Sequence, residues 1–191
     1  MSEFIAVARY AIGLMPPDNR FTETDAKLIL EHKDRFLAWE DELVSQFYNA
    51  LFDHQPTKDV FHQGERPDRE QTLREWWRRS VATPIDDQYF AWMAMVGLVH
   101  VVRKVENPMM LAMCNFVASF VAKKTENEAD GRLLAGAFAR LALTVGAVIT
   151  QGFDSYRAKA LENVVGMPPD LLKRLTQVEA ESLLAQARAK A

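Results

Sequence analysis

Apolar positions along this chain recur at intervals of three and four from near one end to the other, and the strict alternation of strands is almost absent. The pattern predicts an all-α fold. Thr22 or Thr24 is placed to cap a helix from about Thr24 to Lys33. A second helix covers Phe36 to Asp53 and stops before Pro56. It carries two apolar stripes, Phe36, Leu43 and Phe47 beside Leu37, Val44, Tyr48 and Leu51, so it must be covered from more than one side. Pro56 to Pro67 reads as a loop with a turn at Val60 and Phe61, after which Asp68 caps a helix that runs through Val81 and breaks at Thr83-Pro84. Another spans about Asp86 to Lys104. Asn107 as cap and Pro108 in the first turn restart a helix that reaches Lys124. Asp130 opens a long helix to about Val164, closed by Gly166-Met167-Pro168-Pro169. A last amphipathic segment, Asp170 to Ala189, sets Leu171, Leu172, Leu175, Val178, Leu183 and Leu184 to one side.

Composition narrows the function classes. The chain's 191 residues suit one domain with a sizeable core. Its formal net charge of -3 argues against a nucleic-acid surface. The single cysteine, Cys114, excludes an intramolecular disulfide and suits a reducing cytoplasm. The start, Phe4 to Met15, is apolar but holds Arg9 and has no basic leader, so no secretory signal is expected. Leu133 to Phe153 is the longest apolar stretch, but Arg140 and Gln151 interrupt it and Ala and Gly dilute it. It reads as a buried core helix, with no membrane association. His32, His54 and His62 show no metal-ligand spacing, and neither a phosphate-binding glycine loop nor a Gly-x-Ser-x-Gly elbow is present. No residues stand out for hydrolysis or phosphoryl transfer, and a non-enzymatic role is expected.

His100 is the residue that invites chemistry. It lies in the apolar run Tyr89 to Val102, where an unpaired buried polar group costs roughly 1 to 3 kcal/mol. It therefore needs a hydrogen-bond partner or a metal. Gly97, Val96 and Met93 precede it by three, four and seven residues and share its helix face. That flat apolar face, with a glycine one turn from the imidazole, would suit a broad planar hydrophobe such as haem.

The helix order and two stretches resemble the sensor-globin family, which includes protoglobins and globin-coupled sensors. Tyr89, Val96, Gly97, Val99 and His100 fit the family signature Tyr-Val-x-x-Arg-x-x-Ile-Gly-x-Val-His, with Met93 in place of its arginine. Phe47-Tyr48 is similar to the family's Phe-Tyr pair, and the likeness covers about Phe21 to Phe153. After His100 the family's proline comes one place later here, at Pro108, and its aromatic pair is replaced by Met109 and Met110. The resemblance implies a globin-like fold with an extra N-terminal helix and a C-terminal helical extension. The implied layout is an N-terminal segment (1–20), a globin-like sensor domain (21–165) and the extension (166–191).

The resemblance further implies haem b ligated axially by His100, whose second ring nitrogen would donate to a carbonyl or side chain. Tyr48 would lie over the distal face and donate to bound dioxygen. Leu73, Trp76 and Trp77 lie on the helix that would form the distal wall, Leu73 and Trp77 four apart on one face, with core packing as their alternative and Thr72 as a further polar candidate; Met93, Val96 and Val99 would form the proximal wall. One of Arg74, Arg78 and Arg79 could meet a haem propionate, although a solvated face suits them equally. The expected role is reversible binding of a diatomic gas (dioxygen, carbon monoxide or nitric oxide) by a standalone cytoplasmic protein. A homodimer through the Ala- and Gly-rich run Leu134 to Ala147 is expected, with room for a signalling partner in trans. The competing expectation is a haem-free globin-like interaction module, its pocket filled by Met93, Met109, Met110 and the tryptophans.

Overall fold

The computed structural model describes residues 1–190, with ten α-helices, one short 3-10 turn and no strand among them. The helices are α1 (Ser2–Gly13), α2 (Glu23–Glu31), α3 (Lys33–Ala38), α4 (Glu40–Asp53), α5 (Gln55–Lys58), α6 (Arg66–Ala82), α7 (Asp87–Arg103), α8 (Asn107–Thr125), α9 (Gly131–Val165) and α10 (Pro169–Lys190). The all-α reading holds. Thr22 caps α2 through a reciprocal box with Asp25, and the Asp86 side chain accepts from the Tyr89 N–H to start α7. Gly166, at φ +67°, closes α9 in the left-handed conformation that glycine adopts without penalty.

Several boundaries depart from the sequence pattern. The helix expected over Phe36 to Asp53 is two, because the chain turns at Trp39. Part of the expected loop after Asp53 is α5, whose buried Thr57 donates its hydroxyl to the carbonyls of Leu51 and His54. Helix α6 starts at Arg66, ahead of Asp68, with Pro67 in its first turn where a missing N–H costs nothing. Helix α8 is preceded by Glu106 as cap, with Asn107 already inside it.

The chain divides into two compact units, one of residues 1–154 and one from Ser155 onward. In the first, Phe36, Trp77 and Phe138 form an aromatic centre, their centroids 5.2 to 5.9 Å apart. The Trp77 indole N–H donates to the Phe36 carbonyl at 2.9 Å, which satisfies the polar atom of a fully buried ring. Helix α1 packs along α7 through buried Ala8 and Ala11, and Arg9 reaches Asp87 at 2.5 Å. Helix α9 is long and apolar enough to cross a bilayer, yet Leu134, Ala137, Phe138, Leu141, Val145, Val148 and Ile149 are buried in the core. In the second unit the apolar stripe of α10 leaves Leu171, Leu175, Val178, Leu183 and Leu184 exposed.

Helices α7 and α9 meet backbone to backbone. A Cβ placed on Gly97 would lie 2.5 Å from the Phe153 nitrogen and collide with the Ile149 carbonyl; one on Gly152 would collide with Ala94. No side-chain layer separates the helices there, so the crossing sets the height of α7 in the core. His100 sits one turn beyond it.

Candidate ligand-binding cavity

Between α4, α6, α7, α8 and the middle of α9 lies a cavity of about 420 Å³, within the range of small-molecule sites. Its walls are almost wholly apolar. Helix α4 contributes Phe47, Tyr48 and Leu51; α6 contributes Arg69, Thr72, Leu73 and Trp76. Helix α7 brings Trp92, Met93, Met95, Val96, Val99, His100 and Arg103, and α8 brings Met109, Met110, Met113, Cys114 and Val117.

His100 stands in the wall near the C-terminal end of α7. Its Nδ1 is buried without a hydrogen-bond partner. An acceptor for this nitrogen was the expected arrangement, and it is absent because the surrounding α7 face is apolar. Burial, and secondarily the positive charge of Arg103 three residues on, lower its pKa to about 4. The imidazole is therefore neutral at pH 7, the form that binds a metal. A core histidine whose ring is satisfied by a carbonyl is not what the structure shows.

The expected site residues mostly converge. His100, Tyr48, Leu73, Met93, Val96 and Val99 all line the same cavity, as does Thr72. Trp77 does not. Its bond to the Phe36 carbonyl draws the ring into the core, and Trp76, three residues after Leu73 instead of four, takes the place at the wall. Arg74 and Arg78 are engaged by Glu40 and Asp41, and Arg79 lies over the Trp92 ring, so none of the three lines the cavity.

Tyr48 is committed elsewhere. Its phenol donates to the Arg69 carbonyl at 2.6 Å, and burial raises its pKa above the ordinary value. A phenol has one proton, so while it serves that carbonyl it has none for a ligand.

Two cations in the wall escaped sequence reasoning. Arg103 grips Glu65 with both terminal nitrogens, at 2.6 and 2.8 Å, and Glu65 also accepts the His62 N–H. Arg69 Nε lies 3.2 Å from the same carboxylate. These partners, above all Arg103, hold the Glu65 pKa at about 2. The four-residue spacing of Glu65 and Arg69 was a legible signal; the partnership with Arg103, distant in sequence, was not. No cluster of three or more His, Cys, Asp or Glu suited to a metal ion occurs among the described residues.

The model of the protein family described as Protoglobin matches residues 19–149. A search of the curated proteins found no match.

Proposed function

The chain belongs to the protoglobin family, and from that membership we propose that it is a haem-binding globin that reversibly binds dioxygen or another diatomic gas through His100. The observation that carries the proposal is a neutral imidazole, its buried Nδ1 unpartnered, in the wall of a roomy apolar cavity. The residues present fit haem b: a neutral nitrogen base for the axial position, apolar side chains from four helices, and cationic groups at the wall. Bound haem would supply the iron that coordinates the gas.

The chain's own residues do the rest. His100 would ligate the iron, and Met93, Val96 and Val99 line the cavity beside it on the same helix. Leu73, Trp76 and Phe47, from α6 and α4, add apolar wall that would keep water from the bound group. Tyr48 donates to a gas only by leaving the Arg69 carbonyl, so its present bond opposes that role. Met93, Met109 and Met110, the fillers of a haem-free module, stand in the wall and leave the space between them open. A cytoplasmic homodimer belongs to the same proposal. Much of the Leu134 to Ala147 run is used in the chain's own core, so a second copy would meet exposed Leu133 and Leu143 on α9.

The test is an absorption spectrum after haem is supplied, beside His100→Ala. A sharp Soret band that shifts on reduction and with carbon monoxide, and collapses in the variant, is the expected result. Featureless, identical spectra from both proteins would sink the proposal.

A further inference from the structure

Arg69 is the one cation in the wall whose terminal nitrogens have no hydrogen bond to the protein among the described residues. Its carbonyl accepts from Tyr48; its buried Nε lies 3.2 Å from Glu65 without forming a hydrogen bond, and the side chain is 33% exposed, so the fork of Nη1 and Nη2 reaches solvent at the cavity wall. Arg103 differs: both of its terminal nitrogens are taken by Glu65, and Nη2 also approaches the Val60 carbonyl. Arg69 thus has Glu65 beside its Nε and its fork of donors left over at the edge of a largely apolar lining. Guanidinium forks match carboxylates in shape and charge. A ligand with its apolar body in the cavity and a carboxylate at this fork would keep both charges beside water, where neither bears the full cost of burial.

We propose that Arg69 is a carboxylate-recognition residue of this cavity, and that the ligand it selects is an apolar molecule carrying a carboxylate. Glu65, itself held by Arg103, lies beside the base of the guanidinium and leaves its fork for the ligand. The proposal deepens the haem reading, since haem carries two propionates, but the same chemistry would serve a long-chain fatty acid. The two ligands are separated by experiment.

The test uses the whole chain free of ligand. Protoporphyrin IX and its dimethyl ester share a macrocycle and differ only in free carboxylates. Binding of each is followed by quenching of the fluorescence of Trp76 and Trp92 in the wall. Palmitate and methyl palmitate are compared by calorimetry. A charged hydrogen-bonded pair predicts that the wild type prefers the diacid over the ester by roughly tenfold or more. Arg69→Gln, which keeps the carbonyl that serves Tyr48, should bring that preference to within about twofold while leaving the ester's affinity unchanged.

Equal affinity for diacid and ester in the wild type overturns the proposal, and needs no variant to fold. So does a preference that survives Arg69→Gln in a protein with wild-type helicity. If neither porphyrin binds but palmitate does, over its ester and dependent on Arg69, the carboxylate assignment stands, and the haem reading is decided separately by the Soret spectrum with supplied haem. If no porphyrin and no fatty acid binds, the carboxylate assignment fails.

Discussion

Gly97→Ala is the substitution that best tests how His100 is held. The added methyl would sit 2.5 Å from the Phe153 nitrogen and 2.8 Å from the Gly152 carbonyl carbon. Both are backbone atoms of α9, so no side chain can rotate away. Restoring ordinary contact requires α7 and α9 to part by about 1 Å, which places the cost at the upper end of the ~1–3 kcal/mol range for overpacking. Alanine recovers about 1 kcal/mol through its higher helix propensity, leaving a net loss of about 2 kcal/mol. For a chain of this size that lowers Tm by roughly 4 to 8 °C. Calorimetry on the ligand-free protein measures it. Gly13→Ala is the control, because nothing lies within 4 Å of its Cβ position and the change should be neutral or slightly stabilising. Parting the helices also displaces α7 one turn before His100, so haem capture should weaken in parallel. If Gly97→Ala is as stable as the wild type, or the two glycine variants shift alike, the backbone crossing does not set the position of α7.

The Glu65 carboxyl is held low by Arg103, so it stabilises the fold fully above its ordinary pKa of 4.5 and loses that contribution as pH falls towards 2. Part of the interaction is screened by water, so Glu65→Gln should cost about 1 to 2 kcal/mol at pH 7. Urea unfolding at pH 6 and pH 3 should show wild type and variant converging in acid; a gap that stays constant contradicts the assignment. Tyr48→Phe deprives the Arg69 carbonyl of its donor and should cost about 1 kcal/mol in the same assay. An unchanged midpoint would mean the phenol spends its time elsewhere.

The long elements were legible because their ends carry strong local chemistry. Asp86 and the Gly166 turn bound their helices where cap and stop residues stood in the sequence. The break at Trp39 was not, for no glycine, proline or capping side chain marks it. His100, Met93, Val96 and Val99 could be grouped from helical spacing alone, since a single helix displays them on one side of the cavity. Trp77 was misplaced for the same reason in reverse. Positions three and four beyond Leu73 are both neighbours on a helix, and only the distant Phe36 carbonyl decides which indole turns inward. Glu65 and Arg69 are one helical turn apart, but Arg103 reaches the same carboxylate from 38 residues away, which spacing cannot describe.

The Glu65 carboxylate also has a kinetic consequence. One anion against two guanidiniums leaves a single net positive charge among these three groups, of which Arg69 and Arg103 line the cavity. Long-range attraction of an anionic ligand is correspondingly weak, and its rate of capture should respond little to ionic strength. Discrimination would then be made after encounter, by how long a molecule stays. A carboxylate ligand and its ester should arrive at similar speeds and leave at very different ones.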